Sequence, residues 1–77
     1  MMTIESKVLD AIKKASKKTD NEIINAAAWS DLNFDSLQTV ELIMQLEDVF
    51  NIVIEDDEAE TLKNYNNVIS YLKGKNL

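Results

Sequence analysis

The tripeptide Asp35-Ser36-Leu37 contains the side chain best placed for chemistry, a serine hydroxyl at the start of an apolar helical run. The first turn of a helix has unpaired backbone N–H groups and a partial positive charge, and both favour an anion. A phosphodiester on Ser36 would be stabilised there. Serine beside aspartate is often only a helix cap. Asp35 is the better cap, however, which leaves the Ser36 hydroxyl free to point outward as an attachment point.

The composition argues against an enzyme. The chain has 77 residues and contains neither Cys nor His. It therefore lacks the commonest nucleophiles, general bases and transition-metal ligands. A chain of this length forms one small domain, residues 1–77, with little room for a large cleft. We predict a single domain with no catalytic residues of its own.

Two acidic segments contain oxygen ligands of the kind that bind metal ions. The run Asp31-Leu32-Asn33-Phe34-Asp35 imitates the opening of a calcium-binding EF-hand loop. Such a loop needs Gly at its sixth position and Glu at its twelfth, where this chain has Ser36 and Leu42. The cluster Glu55-Asp56-Asp57-Glu58 is interpreted as surface charge that ions screen loosely. We predict no metal site.

Charge is strongly segregated along the chain, whose net charge is −6. The segment from Thr19 to Leu62, which includes Ser36, holds most of the acidic residues and no Lys or Arg. Such a segment repels nucleic acid and favours basic patches on protein partners. The alternative is an acidic surface that only keeps the domain soluble.

No apolar stretch approaches the ~18 residues of a membrane span, and the N-terminus lacks the apolar core of a signal peptide. We therefore expect no membrane insertion and a cytoplasmic monomer. Location in an organelle after removal of a transit peptide stays open.

The hydrophobic pattern predicts four helices. Apolar residues at three- and four-residue spacing from Ile4 to Ala15 indicate an amphipathic first helix capped by Thr3. Four lysines near its end complement the helix dipole: Lys13, Lys14, Lys17 and Lys18. The segment from Thr19 to Asp35 shows no sustained period and is predicted to be a long packed loop. Five apolar residues are expected to anchor it to the core: Ile23, Ile24, Ala27, Trp29 and Leu32.

The central helix is predicted from Leu37 to Phe50, followed by an extended buried connection through Ile54. Its exposed side carries Gln38, Glu41, Gln45, Glu47 and Asp48. A short helix follows, capped by Asp56 or Asp57 and holding Ala59 and Leu62. A last helix is capped by Asn66 or Asn67, turns Val68, Ile69 and Leu72 inward, and ends at Gly74. The predicted fold is an all-α, small four-helix bundle with three longer helices and one short helix.

Taken together, the motifs resemble the signature of acyl carrier proteins over the whole chain. They are Asp31-Leu32, Asp35-Ser36-Leu37, Thr39-Val40-Glu41-Leu42, Leu46-Glu47, Phe50, Glu55 to Glu60 and Val68 to Leu72. The resemblance implies that a separate phosphopantetheinyl transferase attaches 4′-phosphopantetheine from coenzyme A to Ser36. The composition agrees, because thioester carriage needs a thiol and this chain has none.

The resemblance also implies roles for other residues. Positions that match docking sites for the transferase and for fatty-acid enzymes are Asp35, Leu37, Glu41, Met44, Glu47 and Asp48. Positions that match the border of an acyl-chain cavity between the helices are Leu46, Ile54, Ala59, Leu62, Val68 and Tyr71. Any helical bundle needs such residues in its core, so a purely structural role remains an alternative for this second set.

The chain departs from the family pattern near Ser36. Asn33 and Phe34 stand where a small Gly-Ala pair is usual, Gln38 stands where an acid is common, and Glu55 replaces a Pro. We expect Phe34 to enlarge the apolar surface beside Ser36 and to affect partner choice. Three functions follow: a carrier for fatty-acid biosynthesis, a carrier for a specialised polyketide, peptide or other secondary pathway, and an unmodified acidic helical adaptor.

Overall fold

The computed structural model describes residues 3–75. They form five α-helices and a 3₁₀ helix, with no β-strand among them. The helices are α1 (Ile4–Ala15), α2 (Asp20–Asn25), the 3₁₀ helix (Trp29–Leu32), α3 (Ser36–Phe50), α4 (Asp56–Ala59) and α5 (Tyr65–Gly74). The prediction of a small all-helical bundle is confirmed, and all four predicted helices are present.

The segment predicted as a long loop also contains α2. The Thr19 hydroxyl accepts a hydrogen bond from the Glu22 N–H at 3.2 Å, and the Glu22 carboxylate accepts one from the Thr19 N–H at 3.2 Å. This capping box starts a helix of six residues, too short to show a hydrophobic period. Ile23 is buried as expected, but Ile24 and Ala27 are exposed, so the prediction that these two anchor the segment is wrong.

The capping box predicts how the fold responds to acid. The Thr19 backbone N–H, followed by the Thr19 hydroxyl, holds the pKa of Glu22 below its ordinary value of 4.5. The unfolded chain therefore binds this proton more readily than the folded one, and the stability from Glu22 is complete above about pH 5 and lost as pH falls below 4.5. We expect the Tm advantage of the wild type over Glu22→Gln to shrink from pH 6 to pH 3 in calorimetry. Gln still accepts the hydrogen bond but does not titrate, so an unchanged difference would contradict the prediction.

The caps of the last two helices differ from the predictions. Glu55, not Asp56 or Asp57, is the N-cap of α4. Asn64, not Asn66 or Asn67, is the N-cap of α5, and its side chain accepts the Asn67 N–H at 2.9 Å.

The two asparagines that the sequence predicts as caps of the last helix make other contacts. The Asn66 amide donates to the Ile24 carbonyl at 3.3 Å, and Asn67 accepts the Lys63 N–H at 3.1 Å. Leu62 lies just beyond α4, and Lys17 and Lys18 lie beyond α1. The Thr3 cap and the end at Gly74 are confirmed.

The core lies where α1 packs against α3 and α5. Val8, Ile12, Leu42, Leu46 and Val68 are wholly buried there. An ion pair between Lys73 Nζ and Glu5 Oε2, 3.2 Å apart, joins the ends of α5 and α1. Within the described range, no helix has both the length and the apolar character that a membrane crossing requires.

Candidate functional site

Ser36 is the first residue of α3 and is exposed. Asp35 caps the helix, as predicted, because its Oδ1 accepts the Gln38 N–H at 2.8 Å. The Gln38 side chain accepts the Asp35 N–H in return at 3.2 Å. No side-chain hydrogen bond of residues 3–75 involves the Ser36 hydroxyl. The cap is therefore complete without it, and the hydroxyl is available to solvent.

The chain turns sharply just before Ser36. Asn33 has a left-handed backbone with φ of 61°, a conformation that Asn tolerates, and its N–H donates to the Ser30 carbonyl at 3.0 Å. The Phe34 N–H donates to the Trp29 carbonyl at 3.2 Å. This turn directs Phe34 into the protein, where it is 7% exposed and its ring stacks on Trp29 with centroids 5.9 Å apart. Phe34 therefore adds much less apolar surface beside Ser36 than expected, because only a small part of it remains exposed.

An open groove of about 710 Å³ runs beside Ser36. One wall comes from α3, and the others come from the 3₁₀ helix and from α4 with its flanking residues. Its lining includes Trp29, Phe34, Asp35, Ser36, Val40, Ile43, Met44, Glu47, Ile54, Ala59, Leu62 and Lys63. The exposed hydroxyl thus belongs to a residue of the groove lining, which is mainly apolar.

Comparisons with known proteins agree with this geometry. A family model described as a phosphopantetheine attachment site matches residues 6–72. The acyl carrier protein of Exiguobacterium sibiricum is 45% identical over 67 residues, which cover 86% of this chain and 85% of that protein. The acyl carrier protein of Porphyromonas gingivalis is 40% identical over 78 aligned residues, 100% of this chain and 99% of that protein. The acyl carrier protein of Desulforapulum autotrophicum is 41% identical over 76 residues, which cover 96% of this chain and 99% of that protein.

The chain belongs to the acyl carrier protein family. Members of this family are carriers and not catalysts, and their prosthetic group is a covalently attached 4′-phosphopantetheine. The matched span includes Ser36 and the residues that line the groove.

The groove of this carrier contains half of the predicted cavity residues. Ile54, Ala59 and Leu62 line it. Leu46 and Val68 are instead wholly buried in the core and do not reach it. Helical spacing alone could not show that Leu46 and Val68 lie in the core and not in the groove, because core and groove residues are both apolar and both face the interior.

Tyr71, the sixth cavity candidate, lies outside the groove lining and belongs to a contact between α4 and the end of α5. Its hydroxyl is buried and has no hydrogen-bond partner among residues 3–75. Burial, followed by the nearby Glu58 carboxylate, raises the pKa of Tyr71. Lys75 Nζ lies 5.2 Å from the centre of the ring and 3.5 Å from Glu58 Oε2. Tyr71 is therefore half-buried beside Glu58 and Lys75 and not in the groove.

Glu47 has a structural contact that its sequence position does not reveal. Its Oε2 accepts the Ile54 N–H at 2.8 Å, and its backbone carbonyl accepts the Ile52 N–H at 3.0 Å. These two bonds fix the extended connection that follows α3. Glu47 is half-buried and lines the groove, whereas the resemblance placed it among exposed docking residues.

Three more of the docking candidates lie together on α3. Glu41, Met44 and Asp48 border a shallow surface groove of about 510 Å³. Met44 is 60% exposed, and Leu37, one helical turn before Glu41, is 65% exposed. The spacing puts Leu37, Glu41, Met44 and Asp48 on one face of the helix. This face, which we call the α3 docking face, combines apolar and acidic side chains.

Sequence reasoning missed Val40, which is 54% exposed and lines the groove beside Ser36. A signal was present, because α3 has more apolar residues than a single buried face can take. It also missed Lys63, which lies on the groove wall and whose backbone carbonyl accepts the Trp29 N–H at 3.1 Å. No local pattern indicates that contact, since the two residues are far apart in the chain.

Proposed function

We propose that Ser36 is the attachment residue for 4′-phosphopantetheine and that this carrier delivers acyl thioesters to enzymes of fatty-acid biosynthesis. The observation that supports this most is the exposed, unbonded Ser36 hydroxyl at the mouth of an apolar groove. When bound, the group supplies the thiol that the chain lacks. The family match and the names of the relatives support the carrier role.

The start of α3 suits a phosphodiester. The helix has 15 residues, and its dipole places partial positive charge and free N–H groups at Ser36. Asp35 maintains this helix start through its cap. In the attachment reaction Ser36 Oγ bonds to phosphorus, and the phosphoanhydride of coenzyme A breaks. The nucleotide leaves with the electron pair, and the serine proton passes to a base of the transferase.

The groove suits an apolar cargo. Ile54, Ala59 and Leu62 form a wall on which methylene groups of an acyl chain would leave water. Because Ser36 lines the same groove, an arm attached there would bring the chain to this wall. The arrangement supports partial shielding of the acyl chain between encounters with enzymes.

The α3 docking face suits enzymes with basic patches. Glu41 and Asp48 offer negative charge for steering, and Leu37 and Met44 offer apolar contact next to the attachment point. We propose this face as the surface that the phosphopantetheinyl transferase and the synthase enzymes share. In this proposal the carrier acts as a cytoplasmic monomer.

The test is a mass measurement. Incubation with coenzyme A and a phosphopantetheinyl transferase of broad specificity should raise the mass of the wild type by one phosphopantetheinyl group. Ser36→Ala should remain unchanged. Ser30→Ala is a matched control, because Ser30 is also exposed and lines the same groove, and it should gain the full mass.

Each other outcome has a definite meaning. An unmodified wild type would contradict the carrier proposal and favour the acidic adaptor. Modification that persists in Ser36→Ala would show that another residue is the attachment site. The pathway is tested by offering the holo form to a malonyl-loading enzyme of fatty-acid synthesis. Failure there, with loading by a polyketide or peptide enzyme, would favour a specialised pathway.

A further inference from the structure

The floor of the groove beside Ser36 is aromatic. Phe34 and Trp29 both line the groove, yet they are only 7% and 6% exposed. Most of each ring is therefore packed inside the protein, and a small part of its surface faces the groove. The two ring planes lie 22° apart and stack. Phe34 precedes Ser36 by two residues, so this floor lies directly at the attachment point.

Hydrogen bonds hold the aromatic pair in place from both sides. The Phe34 N–H donates to the Trp29 carbonyl. The Trp29 N–H donates to the Lys63 carbonyl at 3.1 Å, and its Nε1 donates to the Leu62 carbonyl at 2.7 Å. The Trp29 ring can leave this position only if its buried Nε1 hydrogen bond breaks, and the Phe34 ring only if it loses its packing against Trp29.

Phe34 and Trp29 belong to the same buried core as Leu46 and Val68. Leu46 and Val68 are wholly buried and do not line the groove, whereas Ile54 and Leu62 at its wall retain slight exposure. A packed interior does not open for an extra methylene group unless a side chain moves. Because Phe34 lines the groove two residues before Ser36 and packs into this core, it is placed where it could limit the entry of a chain attached at Ser36.

We propose that Phe34 is a specificity-determining residue of this carrier. It limits how far an acyl chain enters the groove, so that short chains are sheltered and the remaining methylenes of longer chains stay in water. The inference rests on the proposed attachment at Ser36. Smaller apolar residues at position 34 should deepen the groove and shelter longer chains.

The experiment compares acyl chain lengths in three proteins. Wild type, Phe34→Leu and Phe50→Leu are converted to the holo form and loaded with butanoyl, octanoyl or dodecanoyl groups. Phe50 is the only other Phe of the chain, lies outside the groove lining and receives the same substitution. The readouts are the Tm and the fluorescence of Trp29, the only tryptophan.

Wild type should gain Tm from holo to butanoyl and little more from octanoyl or dodecanoyl. Phe34→Leu should continue to gain with octanoyl, because each fully buried methylene raises the Tm by about 3–6 °C. Its Trp29 emission should change with octanoyl more than that of the wild type. Phe50→Leu should follow the wild type. Should Phe34→Leu fail to fold, Phe34→Met tests the same expectation with a smaller change in volume.

The inference would be overturned if the Tm depended on acyl chain length in the same way in the wild type and in the Phe34 variants. This holds whether the Tm rises with chain length in both or stays level in both. That result would leave the proposed function intact. Failure of the proposed function is seen earlier and separately, as an absence of added mass on the wild type before any acyl group is loaded.

Discussion

Replacement of Trp29 by Ala is expected to lower the free energy of unfolding by about 3–5 kcal/mol, the usual range for a buried aromatic residue. Trp29 is 6% exposed, stacks on Phe34 and donates from Nε1 to the Leu62 carbonyl at 2.7 Å. The loss is large beside the total of about 5–15 kcal/mol that domains usually have. Urea titration followed by far-ultraviolet circular dichroism measures it without the lost fluorophore.

Trp29→Phe separates packing from hydrogen bonding. Phe keeps most of the ring contact with Phe34 but has no N–H to offer the Leu62 carbonyl. We expect a loss of about 1–3 kcal/mol, the cost of leaving a buried acceptor unpaired. Leu37→Ala is the control, because Leu37 is 65% exposed and its truncation should change stability by less than about 0.5 kcal/mol. Equal stability of Trp29→Phe and wild type would contradict the assigned role of the Nε1 hydrogen bond.

Charge reversal at Glu41 and at Glu47 should have different effects. Glu41 is exposed on the α3 docking face, so Glu41→Lys should lower kcat/KM of the transferase about tenfold at low salt and leave the Tm unchanged. Glu47 accepts the Ile54 N–H at 2.8 Å, so Glu47→Lys should cost about 1–3 kcal/mol of stability. The measurements are transferase kinetics and thermal unfolding on the same preparations.

Asp10→Lys provides the control for net charge. Asp10 lies on α1, outside both grooves, and its only ion pair with another of residues 3–75 is a loose contact with Lys14 at 3.8 Å between exposed side chains. The change in charge is the same, but kcat/KM should stay close to that of the wild type. Added salt should also reduce the difference between wild type and Glu41→Lys by screening. If Asp10→Lys matched Glu41→Lys, total charge and not the α3 docking face would govern transfer.

The start of α3 shows what local sequence can determine. Asp35 was expected to cap the helix and leave Ser36 outside the cap, and the structure has this arrangement. The interaction spans three residues, so its chemistry is visible in the tripeptide and the residues that follow. The Thr3 cap of α1 and the end of α5 at Gly74 were predictable for the same reason.

Errors arose where a side chain bonds a residue outside its own helix. Asn66 and Asn67 both resemble helix caps, but the Asn66 amide bonds the Ile24 carbonyl and Asn67 accepts the Lys63 N–H, so the cap falls to Asn64. The sequence position of Glu47 resembles that of a docking residue, but in the folded protein its carboxylate accepts the Ile54 N–H. Such choices depend on folded geometry that no local motif contains.

The sequence by itself determined the helical class, the absence of an intrinsic thiol and the position of Ser36 at a helix start. Each depends on composition or on contacts within one helical turn. Only the tertiary structure decided the environment of that hydroxyl. The left-handed turn at Asn33 and the stacking on Trp29 place Phe34 inside the protein and not on its surface. The physical reason is that burial is a property of the whole packed core, and Trp29 is itself held by the distant Leu62 carbonyl.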